Sequence, residues 1–132
     1  MISVILNFKT KSHTNLEFMQ SIGSIIIDLR KVKGCMGIDL QQDDRDKDQF
    51  KLQLDWQNRN LLTELLERTE FEFLEGAIKV LCETLTIDIA NEQQTITDMP
   101  VNRNICIKKL IMSELNHNLH TRNKTNNHET SK

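Results

Sequence analysis

The segment that most restricts what this chain can become is Phe50-Lys51-Leu52-Gln53-Leu54-Asp55-Trp56. Apolar and polar residues alternate there without a break, the pattern of a strand with one face on a core and the other toward water. It closes on the only tryptophan of the chain. Asn58 is a helix-capping type, and Leu61, Leu62, Leu65 and Leu66 then recur at the spacing of a helix with one buried stripe. Thr69 with Glu72 three residues later reads as a capping box, opening a second helical piece that carries Phe71, Leu74, Ile78 and Leu81. A lone strand cannot cover such helices, so the rest of the chain must supply its neighbours.

Three further segments do so. Ile2, Val4, Leu6 and Phe8 alternate with Ser3, Ile5, Asn7 and Lys9, a strand apolar on one face and mixed on the other. Lys9 to His13 is turn-like, and Thr14 or Asn15 caps a helix with Glu17 in its first turn. Its expected stripe is Leu16, Met19, Ile22, Ile26 and Leu29, with Gly23 allowing close approach to a sheet and Gly34 at the C′ position. Met36, Ile38 and Leu40 alternate with Cys35, Gly37 and Asp39 as a second strand, joined by the charged loop 41–49 to the strand that ends at Trp56. Leu85, Ile87 and Ile89 alternate with Thr84, Thr86 and Asp88 as a fourth.

The order β-α-β-β-α-β predicts an α+β, ferredoxin-like domain over 1–90. Helices cover one face of its sheet. The other face is expected to be apolar and to be buried against a second copy, giving a dimeric α+β barrel. Residues 91–117 are expected to form a C-terminal extension with a helix from about 100 to 117, opened by Pro100. The alternative is a short strand at 104–108 reaching to a dimer partner. Residues 118–132, without apolar periodicity, are expected to be a disordered tail.

Composition narrows the function classes. The 132 residues carry 17 Lys and Arg against 19 Asp and Glu, a net charge of −2, which is not the basic footprint of a nucleic-acid binder. No apolar stretch has the length of a signal core or a membrane span, and Cys35, Cys82 and Cys106 lack the spacing of a disulfide framework or zinc site. A reduced, cytoplasmic protein follows. The acids of the 43–48 run alternate with cations and lack the glycine and terminal glutamate of a calcium loop, and no glycine-rich phosphate loop or nucleophile triad is present. No metal is expected.

These residues resemble a known family, the antibiotic biosynthesis monooxygenase (ABM) domains. The resemblance spans roughly residues 2–90. It rests on Gly34-Cys35-Met36-Gly37 opening the second strand, Trp56 closing the third, the leucine pairs at 61–62 and 65–66, and Phe71. It implies a small dimeric α+β barrel, a relative of cofactor-free quinol and polyketide oxygenases and of haem-degrading enzymes. The family commonly places a histidine where this chain has Leu65, or Leu66 if the register is one off, and often an acidic residue where it has Leu54. A histidine supplies a proton acceptor or a haem ligand near neutral pH, and leucine supplies neither. The haem-degrading branch is matched at Asn7 and Trp56 and not at the histidine.

The expected ligand site is therefore a pocket between sheet and helices lined by Asn7, Trp56, Leu65 and Phe71, with His13 at its mouth and no cofactor. Its ligand would be small and hydrophobic or aromatic. Two functions stay open. One is a cofactor-independent monooxygenase, or a binder of aromatic or quinone-type ligands, with a degenerate active site. The other is a non-catalytic dimeric interaction or regulatory module, with a haem-binding or haem-degrading relative as a further alternative. The candidate bases Glu64 and Glu67, the thiols, and the tail histidines His117, His120 and His128 read more simply as solvated or packing residues.

Overall fold

A computed structural model of the chain describes residues 1–89, 94–101 and 105–115. Its elements run β1 (Ile2–Thr10), α1 (Asn15–Leu29), β2 (Cys35–Gln42), β3 (Gln49–Trp56), α2 (Arg59–Leu66), α3 (Thr69–Leu81), β4 (Cys82–Ile89) and β5 (Gln94–Pro100). A further helix, α4, covers the described residues 107–115. The expected tail at 118–132, with its histidines, lies outside the described residues.

The sheet order is β2-β3-β1-β4-β5, and every neighbouring pair is antiparallel. Its first four strands are the predicted ferredoxin-like arrangement, in which each crossover skips one strand. Register sorts the side chains. Ile2, Val4, Leu6 and Phe8 stand beside Trp56, Leu54, Leu52 and Phe50, and beside Leu85, Ile87 and Ile89 across β4. All of these are buried, and with the inner faces of the helices they form one continuous core.

Several local expectations change. The stripe of α1 runs through Phe18, Ile22, Ile26 and Leu29, while Leu16 and Met19 are exposed. Phe18 wins the first turn because its ring meets Phe8 at 5.5 Å and Phe50 at 4.9 Å, tying the helix to two strands. Gly23 faces open space rather than the sheet. The helix ends at Leu29, so Gly34 is not its C′ residue; it serves the entry to β2. Asn58 caps α2 as expected, its Oδ1 accepting from the Leu61 amide at 2.9 Å. Thr69 is not the cap of α3: that position is Arg68, without a side-chain cap bond. In β2 the register slips between Cys35 and Gly37, which turns Met36 outward.

The region beyond β4 differs most. The expected helix from 100 is replaced by strand β5, paired to β4 with Thr84 opposite Pro100 and Ile89 opposite Gln94. Proline fits there because a strand at the edge leaves one side without ladder bonds. The helix begins only at 107.

Candidate functional site

Trp56 ends β3 opposite Ile2 on one side and Cys35 on the other. Its indole is fully buried, and its one polar hydrogen is given to the Lys33 carbonyl at 3.2 Å. Gly34 packs on the indole. It sits at φ +99°, and a Cβ added there would stand 2.6 Å from Trp56 Nε1 and 2.8 Å from Leu61 Cβ. The loop 30–34 is thus moulded on the tryptophan. It is fastened on the other side by Arg30, whose guanidinium donates to the Ile38 carbonyl at 3.1 Å.

Leu65 on α2 is 0% exposed and Phe71 on α3 is 1% exposed. Leu62, Leu66 and Leu74 are buried with them, as are Ile107, Ile111 and Leu115 of α4. The space between sheet and helices is filled by aliphatic and aromatic side chains. The structure brings Trp56, Leu65 and Phe71 into one core cluster, but as packed residues rather than as walls of a cavity.

Asn7 is elsewhere. It stands opposite Lys51 and Thr86, on the sheet face that no described helix covers, and its side chain is exposed. Period-two alternation forces this, since Leu6 and Phe8 on either side point inward. His13 is farther away still. It is an exposed loop residue at φ 66°, beyond the Thr10 end of β1, whereas Trp56 lies at the Ile2 end. Those ends are roughly 26 Å apart at ~3.3 Å per residue. The five expected ligand residues therefore do not form one site.

The uncovered face also corrects the expectation that it is apolar. Ser3, Ile5, Asn7 and Lys9 lie on it from β1, Lys51, Gln53 and Asp55 from β3, and Thr84, Thr86 and Asp88 from β4. Ile5 alone among these is hydrophobic. Asp55 Oδ1 accepts from Ser3 Oγ at 2.6 Å and from Gln53 Nε2 at 3.0 Å, a small cross-strand network. Toward the β2–β3 hairpin the face dips into an open cleft of about 520 Å³ lined by Asn7, Gln41, Gln42, Asp43, Asp44, Gln49, Phe50 and Lys51. Asp43 there is engaged structurally, its Oδ2 accepting from the Arg45 and Asp46 amides at 3.1 and 2.9 Å.

The fold that results can be compared with known structures. Each of three solved chains superposes at 20% identity or less. An antibiotic biosynthesis monooxygenase matches with a TM-score of 0.62 at 20% identity, over 67% of this chain and 95% of its own. SnoaB from Streptomyces nogalater, a cofactor-independent oxygenase solved as a mutant, matches at 0.62 and 14%, over 73% and 96%. A conserved protein from Methanosarcina mazei Go1 matches at 0.62 and 19%, over 67% and 88%. The chain has the ABM fold. No protein-family model matches its sequence, and no curated protein does.

On this ABM fold the chemistry-bearing groups are sparse. Burial pushes the Cys82 thiol up to about 12, against a weaker opposing effect of Lys11. Burial also raises Cys35, against the Gly37 backbone and the Arg30 guanidinium. Both are held as neutral thiols, the reverse of an activated nucleophile. Among the described residues no group of three or more His, Cys, Asp or Glu could hold a metal ion, and no helix is long and apolar enough to cross a membrane.

Two side chains that sequence reading passed over, Glu75 and Arg59, and Glu67, which it read as solvated, organise the outer layer of the core. Glu75 on α3 accepts from the Lys108 amide at 2.9 Å, Glu67 pairs with Lys108 Nζ at 2.6 Å, and Arg59 on α2 donates to the Leu115 carbonyl at 3.1 Å. Together they fix α4 across α2 and α3. Their only sequence signal was an apolar i, i+4, i+8 pattern at 107, 111 and 115.

Proposed function

We propose that this chain is a non-catalytic module built on the ABM fold, acting through contacts of its surface rather than through a substrate pocket. The observation that carries this reading is the filling of the interior. Trp56, Leu65 and Phe71 are at most 1% exposed, and the indole N–H is already bonded to backbone. A ligand-binding cavity needs concave apolar walls with a few convergent polar groups. Here the walls meet each other. The position at which the resemblance puts a histidine holds Leu65 and has no proton to exchange.

The contact surface in this reading is the uncovered sheet face, and its occupant is a second copy of the chain. Ile5 supplies a half-buried apolar centre, and the hydroxyl and amide side chains around it supply hydrogen-bonding groups for a polar isologous contact. Sedimentation velocity at micromolar concentration should give a dimer, and Ile5→Lys a folded monomer. A monomeric parent chain would remove the pairing part of the proposal. Titration of Trp56 fluorescence with haem, quinols and aromatic polyketides tests the closed interior. No saturable change is expected, and stoichiometric quenching by any of them would restore the monooxygenase or ligand-binder reading.

A further inference from the structure

The open cleft of about 520 Å³ beside the β2–β3 hairpin carries charge of both signs. On its floor Asn7 of β1, Lys51 of β3 and Gln41 of β2 stand in one register row. Its wall is the hairpin, which the chain holds in place by itself. The Asp43 amide donates to the Gln49 carbonyl at 2.9 Å, and the Gln49 amide to the Asp46 carbonyl at 3.0 Å. Asp48 then ties the hairpin to the end of β1 and the start of α1. Its carbonyl accepts from the Thr10 amide at 2.8 Å, and its Oδ1 accepts from Asn15 Nδ2 at 3.2 Å. A wall fixed in this way loses little freedom when a ligand arrives.

The hydrogen bonds already made decide what the cleft has left to offer. Gln42 Nε2 donates to the Lys47 carbonyl at 2.7 Å, and Gln41 Nε2 donates to Asp39 Oδ2 at 2.9 Å. Both amide nitrogens are turned onto the protein, which leaves their oxygens as acceptors. Asp44 adds a carboxylate to the same wall. Lys51 supplies the opposite charge on the floor. Neither Asp44 nor Lys51 forms an ion pair with the other or with any other described residue. The side chains of Asn7 and Gln49 make no hydrogen bond to the described residues either.

We propose that this cleft binds a small zwitterion. Its ammonium sits at the hairpin wall, against Asp44 and the amide oxygens of Gln41 and Gln42. Its carboxylate sits on the floor, against the Lys51 ammonium and the Asn7 amide nitrogen. Hydrogen bonds with an ionised partner at each end are the stronger kind. Other ligand classes fit less well. The acids are not gathered into a metal-holding set among the described residues. Phe50, the one aromatic residue of the lining, is 2% exposed and offers no face on which a sugar or base could stack. A polyanion would meet one lysine beside two carboxylates. The cleft is complete within one chain and lies outside the filled interior, so the inference goes beyond the closed-interior reading and does not depend on pairing.

Isothermal titration calorimetry of the full-length chain at low salt tests it, with γ-aminobutyrate and glycylglycine as zwitterions of different make. At least one should bind saturably, one per chain, with a Kd below about 1 mM. Methylamine and acetate, which carry one charge each, should bind at least about tenfold more weakly. Asp44→Asn and Lys51→Met should each weaken the zwitterion at least about tenfold. Their urea midpoints should match the parent's, since neither side chain has a bond to lose. No saturable binding of either zwitterion would overturn the proposal. So would equal binding of a single-charge probe, or an unchanged affinity in either variant. A monomeric parent chain that binds would remove the pairing alone, and a dimer that does not bind would remove the cleft alone.

Discussion

Gly34→Ala is the substitution whose cost the structure specifies most closely. The glycine sits at φ +99°, where an L side chain is strained by about 1–3 kcal/mol. The new methyl would also stand 2.6 Å from Trp56 Nε1, 2.9 Å from Trp56 Cδ1 and 2.8 Å from Leu61 Cβ. Relieving that overlap in a filled core costs about 1–3 kcal/mol more. If the indole shifts to make room, its bond to the Lys33 carbonyl weakens, and a buried N–H left unpaired costs about 1–3 kcal/mol. Against this, alanine restricts the unfolded chain and returns roughly 0.4–1 kcal/mol. The net loss should be about 3 kcal/mol or more, a large fraction of the ~5–15 kcal/mol typical of a domain. Urea denaturation followed by Trp56 fluorescence measures it, with the native emission of the variant reporting the displaced ring. Gly23→Ala is the internal control. That glycine lies inside α1 with nothing within 4 Å of the added methyl, so alanine should stabilise by about 0.5–1 kcal/mol. A Gly34→Ala loss below about 1 kcal/mol with an unchanged slope would refute the reasoning, since it would mean that the 30–34 loop is not moulded on the indole.

The remaining expectations can be checked with the same unfolding assay. Leu65→His places an imidazole in a fully buried apolar site, and should cost about 2–5 kcal/mol without conferring quinol turnover; turnover would show that an active site lies beneath the leucine. Asn58→Ala removes the cap on α2 and should cost about 1 kcal/mol, so an unchanged midpoint would deny that the cap matters. Cys82 gives a pH signature. Its thiol is raised from 9.0 to about 12 in the folded chain, so the folded state keeps a proton that the unfolded state releases. This contribution is fully present below about pH 9 and is lost as pH rises toward about 12, at about 1.4 kcal/mol per pH unit for one group. Cys82→Ala should flatten that slope, and an identical slope in parent and variant would assign it to other groups.

Much of this protein could be read directly from its residues. The alternation at 50–56 placed Trp56 on the core face, and the leucine and Phe71 spacings placed α2 and α3 on the same side of the sheet. Those patterns are local: a strand's period and a helix's period are visible in any stretch long enough to repeat. The first turn of α1 was misphased because Leu16 with Met19 and Phe18 alone both fit a helical stripe. Only the rings of Phe8 and Phe50, distant in sequence, select between them.

What tertiary structure decided was which residues meet. The family resemblance implies that Asn7 and Trp56 are partners in one pocket, yet register sends Asn7 to the opposite face of the sheet and Trp56 to the core. The polarity of that face is a sum over three strands, since Ser3 and Asn7 mean little until Asp55, Lys51, Thr86 and Asp88 are set beside them. Strand β5 has no alternating apolar pattern of its own in 94–100 and exists because β4 offers it an open edge. The bonds that fix α4 join residues 33 to 56 positions apart. Periodicity is carried by a sequence, but cavities, ion pairs and edges are properties of surfaces brought together by folding. The sequence by itself therefore determined an α+β sheet with a tryptophan in its core, and the packing decided that Trp56, Leu65 and Phe71 are buried together while Asn7 and His13 lie elsewhere.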